Sequence, residues 1–369
     1  MHFGANSLDL SSVKRAQSSH FPCSHLLFPK PLNIFPVSNL PTVLIIGCGS
    51  IGERHLRNFK ETGRCQVIGC DNRPAILADM AEKYQVETSA DWKQAMENPA
   101  CNAVVICTPA PSHVSIATEV LKAGSHCLIE KPLSLNLDGM DELTAAHQAS
   151  DRVCHVAYVN HSRHEPRAAK AFLDSGAFGP VRAASTVGGQ HFPTFRPAYR
   201  EIYYTDHAQG GGAIQDAMTH MVNLMEWITG PTASLFCEAD HQVLSGVEVE
   251  DTVSIIARSQ DGAIISYNLN QFQSPNEVTV QFNCEKGSVK FEYHNCRWGH
   301  LAHGAEDWTW ESVEPLGRDG PFSVQANDFL DATEGKATPL ATLEEGVQAV
   351  RFNLACFESI RTGSRITIK

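Results

Sequence analysis

The stretch TVLIIGCGSIG, residues 42–52, runs an aliphatic segment directly into three glycines. An almost unbroken apolar run of this length suits a strand buried on both faces, as in a parallel sheet. The glycines at 47, 49 and 52 have the spacing G-x-G-x-x-G. In that arrangement Gly47 makes a tight turn and Gly49 lets the backbone approach a pyrophosphate. Gly52 lets the following helix pack closely on the strand, with Ser50 and Ile51 inside the turn. Alone, the spacing also fits a glycine-rich surface turn, so its context decides. The motif follows a strand pattern, opens the helical pattern SIGERHLRNFKET, and precedes Asp71 at the end of the next strand pattern. A carboxylate at that distance suits the hydroxyls of an adenosine ribose, so these residues predict a dinucleotide site. Asp71 repels a 2′-phosphate and favours NAD, whereas Arg73 tolerates the phosphate and keeps NADP as the alternative.

Working outward, strand patterns recur at QVIGC (66–70), NAVVIC (102–107), HCLIE (126–130) and VCHVAYV (153–159). Helical patterns of ten to fifteen residues separate them, which predicts βαβ units and a doubly wound parallel α/β sheet over residues 41–158. From residue 159 to 369 the texture changes to closely spaced strands (VRAASTVGG, VSIIARS, AIISYNLNQF, EVTVQFN, SVKFEY) joined by short turns such as Gln260-Asp261-Gly262. This predicts an α+β domain with a mostly antiparallel sheet. Its last helix starts at a capping box, Thr342 with Glu345, and ends at Gly363.

Composition excludes several classes. A net charge of −12 repels nucleic-acid phosphates and anionic lipid, so neither is expected as a partner. The longest apolar runs are too short to span a membrane. Residues 1–40 lack periodicity and are broken by Pro29, Pro31 and Pro36, so they read as a disordered extension, or as a start site placed too early, rather than a targeting segment. Twelve cysteines without a C-x-x-C pair, several inside strand patterns, suit reduced core thiols in a cytoplasmic protein.

Two features carry chemistry. Glu130-Lys131-Pro132 stands at the end of the fifth strand pattern, where parallel sheets face their ligand crevice. A lysine there can stabilise an alkoxide or relay a proton, though it can equally be a loop lysine. Farther on, GGGAIQDAMTHM (210–221) opens a helix whose apolar stripe leaves Asp216, His220 and Asn223 on the opposite face. An adjacent carboxylate is expected to raise and orient the imidazole as a base requires, the alternative being a solvated i,i+4 pair.

The glycine turn, Cys107-Thr108-Pro109, Glu130-Lys131-Pro132, and GGG followed by D-x-x-x-H occur in the order found in one family. The chain resembles the glucose–fructose oxidoreductase/inositol dehydrogenase/MocA family over roughly residues 42–369. The resemblance implies a Rossmann domain followed by an open-faced sheet domain with helices on one face. It also implies a nicotinamide cofactor and hydride transfer at a hydroxyl-bearing carbon of a sugar, cyclitol or related polyol. Thr108, Pro109, Glu130 and Lys131 then join the cofactor contacts. Lys131 matches the catalytic lysine, Asp216 the substrate-binding acid and His220 the catalytic histidine. Tyr158, followed by Asn160, matches an aromatic position near the substrate. Where many members continue with an arginine–phenylalanine pair and a proline, this chain has His161, Ser162 and His164, and their H-x-x-H spacing lacks a carboxylate to complete a zinc site. Arg196, Tyr199, Arg200 and Tyr203, just before the GGG, read either as substrate ligands or as an ordinary packed loop.

The leading expectation is an NAD-dependent dehydrogenase, with Lys131 or His220 as formal base. The alternatives are a nucleotide-sensing regulator without turnover and a redox-assisted glycosidase of the same family. An exposed sheet face leads us to expect a homodimer or homotetramer.

Overall fold

A computed structural model describes residues 40–338 and 340–369. The expectation for residues 1–40 therefore falls, apart from Leu40, outside the described residues. The quoted stretch is strand β1 (Thr42–Ile46), every residue of which is buried. Full burial of each of its aliphatic side chains stabilises the fold by roughly 1.5–3 kcal/mol, which fixes β1 at the centre of its sheet. That sheet has six parallel strands in the order β3-β2-β1-β4-β5-β6. They are β2 (Gln66–Cys70), β3 (Glu87–Ser89), β4 (Cys101–Ile106), β5 (His126–Ile129) and β6 (Cys154–Val156). Helices α1 (Ser50–Glu61), α2 (Pro74–Tyr84), α4 (His113–Lys122) and α5 (Met140–Ser150) follow the periodic segments of the sequence. The short strand β3 and the single-turn helix α3 (Trp92–Met96) carry no periodic signal. β6 is shorter than its apolar run, because Tyr158 begins a turn.

The order reverses between β1 and β4, on either side of which the chain leaves the sheet by the glycine turn and by Cys107-Thr108. Parallel sheets open their ligand crevice at such a point.

The second sheet has nine strands in the order β14-β13-β12-β11-β7-β10-β9-β8-β15. The strands flanking its centre are β7 (Val181–Gly189), β8 (Thr232–Asp240), β9 (Thr252–Ser259), β10 (Ile264–Asn270) and β11 (Glu277–Cys284). Towards the edges lie β12 (Gly287–Glu292), β13 (Arg297–Ala302), β14 (Thr309–Ser312) and β15 (Ile366–Thr367). β7 and β10 pair parallel; the other pairings are antiparallel. One face packs on α6 (His164–Asp174), α8 (Thr219–Thr229) and the end of α10 (Leu343–Thr362), whereas the single-turn α7 (Phe192–Phe195) contributes Phe192 to a separate buried cluster. The opposite face leaves Val187, Phe236, Ile256 and Ile264 exposed, with Phe236 directly across from Ile256.

The capping box opens α10 as expected: the Thr342 side chain accepts from the Glu345 N–H, and Glu345 accepts from that of Thr342. This helix serves both halves of the molecule. Leu343, Ala349 and Val350 pack with the parallel sheet, whereas Phe352, Ala355 and Cys356 join the core of the second sheet. Helix α9 (Gly320–Thr333) also returns to the first half, where Phe329 meets Phe59 of α1 edge to face. Eleven cysteines lie among the described residues as free thiols, all buried except Cys296.

Candidate active site

The turn after β1 is shaped by what its glycines exclude. Gly47 has φ +89°, and a Cβ there would lie 2.8 Å from the Cys107 carbonyl carbon. A Cβ at Gly52 would run into the Gly47 carbonyl, but at Gly49 it would meet only the Arg73 guanidinium, 3.8 Å away. The turn is therefore closed at its base and open at Gly49. Ser50 and Ile51 begin α1, whose first N–H groups have no side-chain cap. Uncapped N–H groups and the positive helix end form a cradle for an anion, so the turn fits the diphosphate of a dinucleotide.

Asp71 directly follows β2 and reaches back to the glycine turn. Its Oδ2 accepts from the Cys48 N–H (2.8 Å) and from Arg73 Nη2 (2.8 Å). Its Oδ1 accepts from Arg73 N (3.0 Å) and Nε (2.8 Å). Arg73 thereby holds the carboxyl below its usual range. The Arg73 side chain is 58% exposed, so it can yield its place to ribose hydroxyls or remain beside a 2′-phosphate. Thr108 and Pro109 lie in the segment that backs the turn, and Thr108 Oγ1 accepts from the Ser112 hydroxyl (2.7 Å).

At the end of β5, Glu130 is buried and bonded on both oxygens. His55 Nε2 donates to Oε1 (2.8 Å), and the Lys131 N–H donates to Oε2 (2.9 Å). The sequence reading missed His55; the available signal was a polar residue beside Leu56 and Phe59 on the inward face of α1. The Lys131 side chain crosses to the second half of the molecule. Its Nζ donates to the Asp216 carbonyl (2.8 Å) and to Asp216 Oδ1 (2.9 Å). Asp216 sits in a π-helical turn, Ile214–Met218, that precedes α8. Such turns leave the regular i→i−4 ladder and release backbone groups, here a carbonyl aimed at the lysine. The Gly210–Gly212 run seats this turn. A Cβ at Gly211 would strike the Tyr204 carbonyl, and one at Gly212 (φ +83°) would come within 2.5 Å of the Glu250 carboxylate. That carboxylate accepts from the Ile214 N–H (2.9 Å) and from His207 (2.5 Å).

Burial opposes the Lys131 charge, but Asp216, Tyr203 and Glu130 outweigh it and keep the ammonium above its usual range. Burial likewise opposes the Asp216 carboxylate, and Lys131 and Arg196 pull it well below the usual range. His220 behaves differently from the expectation. It makes no hydrogen bond to Asp216, and burial together with the Lys131 charge pushes its pKa down to about 3, outweighing the carboxylate. The wheel of a uniform α-helix does not hold across a π-turn, so Asp216 faces Lys131. The imidazole is neutral, with Nδ1 buried and without a hydrogen-bond partner.

Tyr158 is fully buried behind His220, with rings edge to face at 5.8 Å and its hydroxyl 3.0 Å from Thr219 Oγ1. Asn160 Nδ2 donates to the His220 carbonyl (3.4 Å). Both residues thus brace the histidine. Of the aromatic–arginine segment, two members converge on Asp216: the Tyr203 hydroxyl donates to Oδ1 (2.6 Å), and Arg196 Nη1 lies 3.5 Å from Oδ2. The other two turn away. The Tyr199 hydroxyl and Arg200 Nε donate to the Ser245 carbonyl (2.8 and 2.7 Å), and Tyr199 is buried in an aromatic cluster with Phe192 and Tyr204. For Tyr199 and Arg200 the packed-loop alternative describes their placement. His161 is buried too, stacked on Trp227 at 4.2 Å.

Comparison with known proteins identifies the family and the fold. Residues 42–158 match the model of an oxidoreductase family with an NAD-binding Rossmann fold, and residues 167–290 match that of a GFO/IDH/MocA C-terminal domain. An inositol 2-dehydrogenase of Ralstonia nicotianae is 29% identical over 191 residues, covering 50% of this chain and 53% of that protein. A levoglucosan dehydrogenase of Pseudarthrobacter phenanthrenivorans is 24% identical over 247 residues, covering 60% and 63% respectively. The matched stretch is thus less than two thirds of either relative. Solved structures show the same fold more completely. A levoglucosan dehydrogenase in complex with NADH superposes with TM-score 0.79 at 19% identity, over 90% of this chain and all of the other. An oxidoreductase domain protein from Kribbella flavida does so with TM-score 0.81 at 22% identity, over 90% and 99%.

Proposed function

This chain belongs to the GFO/IDH/MocA oxidoreductase family, and on that premise we propose that it is an NAD-dependent dehydrogenase. Its substrate is proposed to be a secondary alcohol of a sugar, cyclitol or related polyol. The observation that supports this most directly is the Lys131–Asp216 pair, a largely buried ammonium on a buried carboxylate beside a neutral imidazole, at the crevice end of a dinucleotide-type sheet.

His220 is the group that removes the hydroxyl proton, since it is already deprotonated at neutral pH. Lys131, held as an ammonium, stabilises the developing oxyanion and does not act as base in this state. Asp216 accepts a neighbouring hydroxyl of the substrate, and Tyr203 and Arg196 orient that carboxylate. Gly47, Gly49, Ser50, Ile51, Gly52 and Asp71 would hold the cofactor on the first half of the molecule, with Thr108, Pro109 and Glu130 beside it. When bound, the nicotinamide supplies the hydride acceptor. NADP stays the alternative, because Arg73 already stands beside Asp71. We further propose that the exposed sheet face around Phe236 and Ile256 joins copies into a homodimer or homotetramer.

Lys131→Ala and His220→Ala are each expected to lower NAD-dependent oxidation of a polyol panel at least ~100-fold, with NADH affinity by fluorescence titration nearly intact. Unchanged turnover in both variants would overturn the assignment. NADH binding by a wild-type protein that oxidises nothing in the panel would favour the sensing alternative.

A further inference from the structure

One cavity outside this cluster has no role in the mechanism above. It has a volume of about 200 Å³ and is lined by Ser50, Glu53, Arg54, Arg57, Arg318 and Asp319. Arg54 and Arg57 stand one turn apart on α1, and Arg318 and Asp319 precede α9. Three guanidinium groups thus surround a space that begins at the first turn of α1.

The carboxylates present do not match them. Glu53 is taken by Lys83 and by the Tyr84 hydroxyl (2.6 Å). Asp319 Oδ2 accepts from Arg57 Nη2 (2.6 Å), while its Oδ1 lies 3.1 Å from Arg54 Nε. That second pair is misaligned: both atoms are buried and neither makes a hydrogen bond. Arg54 is further confined by the Phe322 ring, 4.9 Å from its Cζ. Burial weighs most against its own charge; Asp319 supports that charge, and the like charges of Arg318, Arg57 and Arg196 add to the cost. A structural tie between α1 and α9 needs only the Arg57–Asp319 pair. The additional arginines repel one another across an open space, an arrangement that a bound dianion relieves.

The charge of Arg196 acts on Arg54 and on His220, and its Nη1 is 3.5 Å from Asp216. Arg196 thus couples electrostatically to both Arg54 at the α1 cavity and Asp216 at the lysine pair.

We infer that the Arg54–Arg57–Arg318 cavity binds a phosphoryl group of the substrate, so that the oxidised alcohol belongs to a phosphorylated or nucleotide-linked sugar. The inference rests on the dehydrogenase reading given above. The cofactor's own diphosphate is the other source of the same chemistry, and the experiment separates the two.

The full chain is titrated calorimetrically with inorganic pyrophosphate, first alone and then saturated with NADH, as wild type, Arg318→Gln and Arg318→Lys. The expected result is saturable binding that persists in the NADH-loaded protein and weakens as salt rises. Arg318→Gln is expected to weaken it about tenfold, the loss of one charge-assisted contact, and Arg318→Lys to restore part of it. NADH affinity should be the same in all three proteins. Binding of pyrophosphate that NADH abolishes assigns the cavity to the cofactor and overturns the substrate assignment. No saturable binding, or equal binding by wild type and Arg318→Gln, overturns the site altogether. A wild-type protein that does not bind NADH refutes the dehydrogenase reading instead, and the NADH titration detects that separately.

Discussion

The molecule contains two glycine-rich turns, each opening a helix beside a carboxylate, and they do different work. At residues 47–52 the glycines let backbone meet backbone, Gly47 on Cys107 and Gly52 on Gly47, and the helix N–H groups stay open. The carboxylate there, Asp71, is joined to an arginine whose side chain is mostly in solvent. At residues 210–212 the glycines admit other chain segments, the Tyr204 carbonyl and the Glu250 carboxylate, and nothing is left open. The carboxylate there, Asp216, is 2% exposed and bonded to Lys131, whose side chain is 13% exposed. The first turn offers a surface to a ligand through its main chain. The second assembles side chains from distant parts of the sequence into one charged cluster.

The carboxylates should separate the two turns most widely. Asp216→Ala leaves the Lys131 ammonium buried without its partner, which is expected to cost about 3–5 kcal/mol of stability and at least ~100-fold in turnover. Asp71→Asn should weaken NADH binding about tenfold, with kcat at saturating cofactor unchanged. Denaturant melts and NADH titrations read both; similar effects of the two changes on NADH affinity would break the contrast.

The glycines give a smaller version of the same test. Gly52→Ala should reduce NADH affinity and, through overpacking of main chain on main chain, destabilise the fold by about 1–3 kcal/mol. Gly212→Ala displaces Glu250 and with it the π-turn, so kcat should fall roughly tenfold while NADH affinity holds. A loss of NADH affinity in Gly212→Ala would mean that the turns are not independent.

The smallest expected effect is an absence. A free imidazole would break the kcat/KM profile near pH 6.5. With its pKa pushed down to about 3, His220 is deprotonated at every pH above about 4, and the profile should stay flat from pH 5 to 8. The same depression makes the unfolded chain bind a proton that the folded one does not between pH 6.5 and 3. Stability from this group therefore rises with pH across that window and is lost on acidification, by about 1.4 kcal/mol per pH unit. An inflection near 6.5 that disappears in His220→Asn would contradict the placement.

The same contrast explains what could be read from sequence. The first turn is local: a strand, three glycines, a helix and a carboxylate in one βαβ unit, each with its own periodic signal, and residues 42–71 were legible from that order alone. The second is not local. Lys131 reaches Asp216 across 85 residues, and a helical wheel of uniform pitch misorients Asp216 relative to His220 because a π-turn intervenes. Strand β8 went unread for a similar reason: its burial alternates irregularly, so it lacks the period-two signal. Helix α9 went unread because its apolar residues serve packing on α1 rather than an isolated stripe. For Tyr199 and Arg200, residue type was compatible with either role, and only their partners at Ser245 distinguish them.

The buried thiols turn the chain into its own stopwatch. Burial pushes Cys48 up to about 12 and Cys65 and Cys101 up to about 11, so none of them offers a thiolate while the fold is closed. They are also distributed: Cys48, Cys65 and Cys107 lie under α1, Cys127 and Cys154 on the other face of the parallel sheet, and Cys237 and Cys356 in the core of the second. A thiol reagent must wait for each core to open before it can react, so the order in which these cysteines become labelled ranks the opening of the three layers without introducing a single probe.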